Sequence, residues 1–256
     1  MRRLVAIAGV ALGLAAGLQA SRGDERRSGA TFMSPQTQAL QADDAANPGM
    51  LSVADGQAQW STPAGPNGTA CTACHGDARD TMRGVAARYP AIDAVSGKAV
   101  DLMGRINLCR TRNMGAPALP AEGAELLGLA AYVGFQSRGL RIAPPTGAAM
   151  DAVRDAGRAL YTRRQGQLDF SCAACHDDNW GRRLAAAPIP QAHPTGYPLY
   201  RLEWQATGSL QRRFRNCMTG VRAEPWPYGS DEAIALEAFL MDRARGMAVE
   251  TPAVRP

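Results

Sequence analysis

Apolar residues form one continuous run near the start of the chain and then one helical stretch in each half. The first run, Leu4 to Leu18, follows Arg2 and Arg3 and ends in small residues around Ala20. This order is typical of a secretory signal peptide, and the run is shorter than the roughly 20 apolar residues that a membrane span requires. We therefore expect a mature protein that is soluble, lies outside the cytoplasm and has no membrane span.

The two later apolar stretches have a helical period and close two similar halves. They run from Ala124 to Phe135 and from Glu232 to Met241. Between the halves, the segment from Gly139 to Met150 has neither helical period nor apolar density, which is typical of a domain boundary. At 256 residues the chain is long enough for two ordinary domains. The predicted division is a signal peptide at residues 1–20, an N-terminal domain at residues 21–143 and a C-terminal domain at residues 144–256.

An internal repeat relates the halves. In each half a glycine and an aromatic residue precede a C-x-x-C-H sequence at the same distances: Gly56 and Trp60, then Gly157 and Tyr161. The order of elements resembles a class I cytochrome c domain, in which the first and last helices cross at a glycine covered by an aromatic side chain. That resemblance pairs Gly56 with Tyr132 and Gly157 with Phe239. We predict a mainly α fold of two tandem class I cytochrome c-like domains.

The two C-x-x-C-H sequences are the strongest functional signal. They consist of Cys71, Cys74 and His75, and of Cys172, Cys175 and His176. Within one turn of chain, two thiols reach two vinyl groups of a porphyrin and the imidazole reaches its iron. Two such sequences in an exported chain predict two covalently bound haem c groups. The low aromatic content, 6% of residues, fits large flat cofactors that fill the two cores.

The second ligand of each iron is open to three interpretations. Cys109 and Cys217 occupy corresponding places in the two halves, and thiolate is a strong ligand for ferric iron. A disulfide between these cysteines would have to join the two distal sides across the domains. The chain has only three histidines, so bis-histidine ligation at both haems is impossible within it. His193, the third, is expected in a surface loop. Methionine ligands are the third interpretation, with the candidates Met103, Met114 and Met218.

The ends of the chain carry few signals of regular structure. Residues 21–50 contain few apolar positions, and we expect them to wrap the surface of the first domain. Residues 252–256 include two prolines and are expected to form a frayed tail.

The charge of the chain argues against nucleic acid as a partner. The formal net charge is +5, and it falls to +3 without residues 1–20, which carry two arginines and no acid. Two haems would add four propionates, so the loaded protein would lie near neutrality. A nucleic-acid-binding protein needs a surplus of basic residues to neutralise phosphates.

Further segments match a known family over nearly all of residues 24–246. Besides the haem sequences, they are Asp24 to Gly29, the stretch from Phe32 through Met50, Arg213 to Cys217 and Val221 to Pro225. With these segments the chain resembles the two-haem form of the SoxA family, the catalytic cytochrome subunits of the SoxAX complex in periplasmic thiosulfate oxidation. The most specific match is the R-x-x-x-C sequence, since C-x-x-C-H alone indicates only a cytochrome c.

The resemblance implies a reaction and a set of roles. Thiosulfate would be joined oxidatively to a cysteine of a SoxY carrier protein, an L-cysteine S-thiosulfotransferase activity, with electrons passing through haem to a small cytochrome c. Cys217 would be both an iron ligand and the reactive sulfur, carried as a cysteine persulfide, and Arg213 would bind the substrate. The implied iron ligands are His75, Cys109, His176 and Cys217. The implied partners are a SoxX-like monohaem cytochrome, in a heterodimer, and a SoxYZ-like carrier, and the implied location is the periplasm.

The residues themselves are compatible with these roles. Arg213 lies one helical turn before Cys217, so the guanidinium and the sulfur share a face if the segment is helical. A guanidinium matches the planar face of an oxyanion and favours a thiolate over a thiol. Additional positive charge comes from Arg212, Arg215 and Arg222, for which pairing with haem propionates or solvent exposure is the alternative.

Two other functions fit parts of the sequence. A two-haem thiosulfate dehydrogenase, which couples two thiosulfates to tetrathionate, could use the same arginines. A simple electron-transfer cytochrome would have no substrate, and Cys217 beside an arginine argues against it.

Overall fold

A computed structural model describes residues 25–256, so the signal peptide expected at residues 1–20 lies outside the described residues. The helices of the first half are α1 (Pro35–Ala42), α2 (Gly49–Trp60), α3 (Cys71–His75), α4 (Ala78–Thr81), α5 (Leu102–Asn113) and α6 (Ala124–Phe135). Those of the second half are α7 (Ala148–Thr162), α8 (Cys172–His176), α9 (Leu210–Gly220) and α10 (Asp231–Arg243). Short 3-10 helices lie at Gly29–Phe32 and Ala86–Arg88.

The strands are short and form three small sheets in the described chain. They are β1 (Ala91–Ile92), β2 (Ala99–Val100), β3 (Arg183–Leu184), β4 (Ala187–Pro188), β5 (Leu199–Arg201), β6 (Ala206–Gly208) and β7 (Ala253–Arg255). Strands β1 and β2 pair with each other, as do β3 and β4, while β5 lies between β6 and β7. No helix among residues 25–256 is long and apolar enough to cross a bilayer.

Each half is organised around one close helix crossing. Helix α2 packs against α6, and α7 packs against α10. A Cβ on Gly56 would collide with the Gly128 carbonyl and lie 2.8 Å from Cβ of Tyr132. A Cβ on Gly157 would likewise collide with the Ala235 carbonyl and lie 2.8 Å from Cβ of Phe239. The predicted glycine–aromatic pairs are confirmed, and the fold is the expected mainly α repeat.

Two apolar cores lie beside these crossings, and a third joins the halves. The first includes Val53, Trp60, Leu129 and Tyr132, and the second includes Tyr161, Phe214, Leu236 and Phe239. The third is built from Ala87 and Ile142 of the first half and Ala244 and Val249 of the second. The halves therefore share buried surface, which favours a fixed arrangement over two independently moving domains.

The helices that carry the two candidate sulfur ligands both begin at a side-chain cap. Asp101 accepts a hydrogen bond from the Gly104 N–H at 2.6 Å and so caps α5, which carries Cys109. Ser209 accepts one from the Arg212 N–H at 3.0 Å and so caps α9, which carries Cys217. Such caps satisfy free N–H groups and fix where each helix starts.

A buried polar contact links these helices across the interface between the halves. Nε2 of Gln211 donates to Oδ2 of Asp101 at 2.9 Å and to Oε2 of Glu237 at 3.4 Å, beside a cavity of about 70 Å³. Burial raises the pKa of Asp101. Burial, and then the charge of Asp101, raise the pKa of Glu237 well above its ordinary value. The halves therefore meet at two buried carboxyl groups whose pKa values are both raised.

The N-terminal segment corrects one expectation, because it reaches the second half. Phe32 packs edge-on against Trp180 at 6.4 Å, and the guanidinium of Arg27 lies 5.4 Å from the centre of the same ring. The backbone N–H of Arg27 also donates to Gln191 at 2.6 Å. The prediction that residues 21–50 wrap the surface of the first domain therefore describes only part of this segment: Asp44 pairs with Arg138 of the first half, whereas Arg27 and Phe32 pack on the second half.

Two other expectations about exposure are wrong. The C-terminal residues form β7, which pairs in parallel with β5, and Val254 is fully buried, so this segment is no frayed tail. His193 is buried rather than in a surface loop, and its Nδ1 lies 2.8 Å from the Arg27 carbonyl. In both cases the partner comes from a distant part of the chain, which local composition does not reveal.

Candidate haem sites and the pocket beside Cys217

The second C-x-x-C-H sequence forms α8, a short helix capped by its preceding serine. Ser171 accepts a hydrogen bond from the Ala174 N–H at 3.1 Å. At the end of the helix, Nδ1 of His176 lies 2.6 Å from the Pro190 carbonyl oxygen. Since a carbonyl only accepts, Nδ1 carries a proton and donates it to this bond, which leaves Nε2 as the outward-facing nitrogen. That nitrogen is the one a haem iron would bind.

Cys217 faces the imidazole of His176 from the opposite element, α9. Burial alone would raise the pKa of the thiol, but a hydrogen bond with His176 and the charge of Arg213 lower it below its ordinary value, with smaller contributions from the charges of His176 and Arg201. Cys217 also lies close enough to Cys172 and Cys175 to influence the pKa of both thiols. One imidazole, one distal sulfur and two linking thiols thus converge in the second half.

The surroundings of Cys217 fit a large planar group. The side chain is exposed to solvent. Nevertheless, enough protein surrounds it for burial to be the largest single influence on its pKa. The thiol is therefore accessible to solvent and also flanked by protein. Cys172, Cys175 and His176 would hold a haem within reach of this thiol.

Arg213 stands beside this thiol without a carboxylate of its own. Helix α9 is continuous from Arg213 to Cys217, so the two side chains lie one turn apart, as predicted. Within the described residues, the guanidinium has neither a hydrogen-bond partner nor an ion-pair partner. Burial alone would lower the pKa of Arg213, but the opposing influences of Cys217, Tyr197 and Glu203 raise it. An unpaired cation in an enclosed position is suited to binding an anion.

Two residues of this pocket carry no signal in the sequence. Arg201, at the end of β5, is close enough to lower the pKa of the Cys217 thiol. Tyr197 also lies near the thiol and both guanidiniums, and burial is the main reason that its pKa is raised. Neither residue belongs to a motif, and both reach the pocket through the segment that leads into the three-stranded sheet.

The other arginines around α9 point elsewhere. The Arg212 guanidinium lies 4.2 Å from the centre of the Trp204 ring. The Arg215 guanidinium lies 4.8 Å from that of Tyr228, and it donates to the Trp226 carbonyl. Arg222 is in a tight turn with φ of 60° after the helix. Of the four arginines in this region of the sequence, Arg213 is the one beside the thiol.

The first half brings together the corresponding thiols in a different electrostatic setting. Cys109 lies near both linking cysteines. Its charge contributes to raising the pKa of the Cys71 thiol, and the charge of Cys74 contributes to raising the pKa of the Cys109 thiol. Burial raises the pKa of the Cys109 thiol despite the charge of Arg105. His75 packs against Trp60, with ring centres 5.7 Å apart. All six cysteines are free thiols, so Cys109 and Cys217 form no disulfide.

The methionine candidates are placed less favourably than the cysteines. Met114 and Met218 are buried in the protein interior. Met103 lines the cavity between the halves. The thiol of Cys217 is exposed, whereas its neighbour in sequence, Met218, is buried in the core.

The family model described as SoxA/TsdA, cytochrome c domain matches the chain twice, at residues 55–142 and 156–249. The two matches coincide with the two halves of the repeat. Each contains one C-x-x-C-H sequence and one further cysteine.

Individual relatives match over most of their length. The chain is 38% identical over 236 residues to the L-cysteine S-thiosulfotransferase subunit SoxA of Rhodovulum sulfidophilum, covering 92% of this chain and 82% of that protein. It is 33% identical over 228 residues to the protein of the same name from Paracoccus pantotrophus, covering 89% and 78%. A crystal structure of SoxXA from P. pantotrophus covers 90% of this chain and 87% of that chain, with a TM-score of 0.87 and 32% identity.

Proposed function

The chain belongs to the SoxA/TsdA cytochrome c family, and from this premise we propose that it is the catalytic subunit of an L-cysteine S-thiosulfotransferase. It joins thiosulfate oxidatively to a cysteine of a SoxY-type carrier protein. The observation that carries the proposal is the unpaired guanidinium of Arg213 one helical turn before the enclosed thiol of Cys217. A plain electron carrier has no use for an anion pocket at this sulfur.

The two C-x-x-C-H sequences and the corresponding cysteines Cys109 and Cys217 support the proposed assignments of individual residues. Two haem c groups are attached covalently, one through Cys71 and Cys74 and the other through Cys172 and Cys175. The iron ligands are His75 with Cys109 in the domain of residues 21–143, and His176 with Cys217 in the domain of residues 144–256. When bound, haem supplies one-electron redox chemistry that accepts and passes on the electrons of the reaction.

The chemical step balances with a two-electron oxidation. The Cys217 thiolate bonds to the sulfane sulfur of thiosulfate, which gives a Cys217–S–S–sulfonate and releases two electrons towards haem and a small cytochrome c. A carrier thiolate then attacks that sulfane sulfur, the bond to Cys217 breaks, and Cys217 leaves as a thiolate. A persulfide on Cys217 would enter the same sequence with its outer sulfur as nucleophile.

The residues around the sulfur hold and orient the substrate. Arg213 supplies a forked, permanently charged donor for sulfonate oxygens. His176 is held by the Pro190 carbonyl, which fixes the orientation of its ring opposite Cys217. The partners are a SoxX-type monohaem cytochrome, with which the chain forms a heterodimer, and a SoxYZ-type carrier. The working location is the periplasm.

The test is a stoichiometric assay of the purified two-haem chain in complex with its monohaem partner, given thiosulfate with and without the carrier. We expect the carrier to gain one thiosulfonate per two electrons. Cys217→Met should abolish this transfer although both haems stay attached, because the covalent step is lost. Arg213→Lys should weaken thiosulfate use on the order of 10- to 100-fold, since lysine keeps the charge but not the fork.

The alternative functions predict other results in the same assay. Tetrathionate formation without the carrier would identify a thiosulfate dehydrogenase. Wild-type rates in a two-haem Cys217→Met protein would remove the covalent mechanism and leave an electron carrier.

A further inference from the structure

We infer that the N-terminal segment of residues 25–32 is a strap that positions the carbonyl partner of His176, and that Gln191 is the positioning residue through which it acts. The strap thereby sets the reduction potential of the second haem from a part of the chain far from both haem-attachment sequences. The inference rests on the proposed function, in which His176 is an iron ligand. It is carried by the hydrogen bonds of the strap, by one unfavourable backbone position and by a difference between the two halves.

The carbonyl that accepts from His176 belongs to an irregular loop. Nδ1 of His176 lies 2.6 Å from the Pro190 carbonyl oxygen, and residues 189–194 form neither helix nor strand. Within this loop Ala192 has φ of 56°, in the left-handed region that an alanine rarely adopts. Such a backbone keeps its shape only when neighbouring elements hold it. The position of the Pro190 oxygen therefore depends on what anchors the residues beside it.

The strap supplies anchors on both sides of Ala192. The buried side chain of Gln191 accepts a hydrogen bond from the Arg27 N–H at 2.6 Å and donates one to the Glu25 carbonyl at 3.2 Å. On the other side, Nδ1 of His193 donates to the Arg27 carbonyl at 2.8 Å. Both backbone groups of Arg27 are thus bonded to side chains that flank Ala192. Because buried polar groups are costly to leave unpaired, these bonds fix the loop against the strap.

The strap is itself attached to the second half near both of its ends. Nη1 of Arg26 donates to the carbonyl of Arg243, the last residue of α10, at 3.2 Å. At the other end, the ring of Phe32 packs edge-on against that of Trp180, with ring centres 6.4 Å apart. Arg243 also reaches the loop directly, since its Nη2 donates to the Gln191 carbonyl at 3.3 Å. Loosening the strap at either end should therefore be transmitted to the loop.

The first half has no equivalent of this arrangement in the part of the chain that the structure describes. There the ring of His75 packs against that of Trp60, and no hydrogen bond joins His75 to a carbonyl among residues 25–256. The contacts of Arg27 and Phe32 described above are all with the second half. A change in the strap should therefore affect the second haem and leave the first unchanged.

The expected direction follows from the chemistry of the imidazole. A hydrogen bond from Nδ1 fixes the ring plane of an iron-bound histidine and makes Nε2 a stronger electron donor. A stronger donor favours ferric iron and so lowers the reduction potential of the haem. Weakening the hold on the Pro190 carbonyl should therefore raise this potential. The effect needs neither thiosulfate nor a carrier protein, so it can be measured apart from catalysis.

The experiment is an EPR-monitored redox titration of the two-haem chain in complex with its monohaem partner, without substrate. The signal that changes in Cys217→Met identifies the second haem. In Gln191→Met, which keeps the side-chain length but loses both bonds to the strap, we expect the potential of the second haem to shift upward. Phe32→Ala, which loosens the strap at its other end, should shift it in the same direction by less. The potential of the first haem and a content of two haems per chain should be preserved in both variants.

Gln41→Met is the matched control. Gln41 also joins the N-terminal region to a distant backbone group, since its side chain accepts from the Val254 N–H at 3.1 Å, but it does not contact the loop at Pro190. Any loss of stability in this variant should leave both potentials at wild-type values.

An unchanged potential of the second haem in Gln191→Met and Phe32→Ala would overturn the inference, and Phe32→Ala decides alone if Gln191→Met does not fold. Equal shifts of both haems, or the same shift in Gln41→Met, would also overturn it, because they would indicate a general loosening of the fold. Failure of the proposed function is distinguishable, because it appears as wild-type turnover in Cys217→Met.

Discussion

The two halves of the molecule share a scaffold but differ in the charge around the distal cysteine. In the first half, Arg105 and Arg112 both bind Asp93, each at 2.9 Å. In the second half, Arg213 has no ion-pair partner among the described residues, and Arg201 shares one exposed carboxylate. Duplication has therefore preserved the helix crossing and the thiols, while the arginines of the two halves are paired differently.

Asp93 is the residue that pairs with both arginines near the distal cysteine of the first half. Its side chain is 1% exposed because its own partners cover it. A hydrogen bond from the Ser96 hydroxyl, and further ones from the Ser96 N–H and Arg112, hold the pKa of Asp93 well below its usual range against the opposing effect of burial. The carboxylate thus stays charged and keeps both arginines occupied. An arginine near a thiol is therefore a candidate for binding a substrate anion only when no carboxylate of the protein already pairs with it.

The largest expected difference between the halves is kinetic. Cys109→Met should keep most of the thiosulfate-dependent turnover that Cys217→Met loses, because the reactive sulfur is assigned to the second half. The absorption spectrum of the first haem should change in Cys109→Met, and haem content should remain two per chain. Complete loss of turnover in a folded, two-haem Cys109→Met protein would show that assigning the reactive sulfur to the second half is wrong.

A smaller effect, on thermal stability, is expected when the carboxylate shared by Arg105 and Arg112 is removed from the first half. Asp93→Asn leaves two guanidiniums without their shared carboxylate, so Tm should fall by several degrees in a thermal unfolding experiment. The control is Asp44→Asn, which removes the partner of Arg138 from a solvent-exposed pair and should shift Tm much less. Equal shifts in the two variants would mean that the Asp93 cluster is no more important than a surface ion pair.

The smallest effect concerns the carboxyl groups where the halves meet. Because the folded state raises the pKa of Glu237, the protonated form stabilises the fold, and this contribution is lost as the pH rises above the ordinary value of 4.5 towards the raised one. Glu237→Gln should therefore stabilise the protein at pH 8, by roughly 1 to 2 kcal/mol, and much less at pH 5.

Urea unfolding at the two pH values measures this effect, with Glu232→Gln on the exposed face of the same helix as the control. An equal gain at both pH values would show that Glu237 is not held protonated by the fold.

The sequence allowed prediction of the features that depend on local order. The C-x-x-C-H sequences, the R-x-x-x-C turn and the two glycine–aromatic pairs could be read because each is fixed by spacing within one element or repeated in both halves. Arg201 and Tyr197 could not be read in this way, since their place beside Cys217 depends on a loop and a sheet that fold back from another part of the chain. The errors about His193 and residues 252–256 have the same physical origin: both are buried by partners far away in sequence.

The parallel pairing of Leu199–Arg201 with Ala253–Arg255 makes the three-stranded sheet depend on the order in which the polypeptide is made. Arg255 lies directly opposite Arg201 in this pairing, so the strand that carries Arg201 acquires this neighbour only when residues 253–255 have been synthesised. A nascent chain can carry both C-x-x-C-H sequences before this sheet is complete. Proteolytic trimming or a purification tag at this end would therefore disturb the strand that carries Arg201, even though the cysteines of those sequences lie far away in the chain.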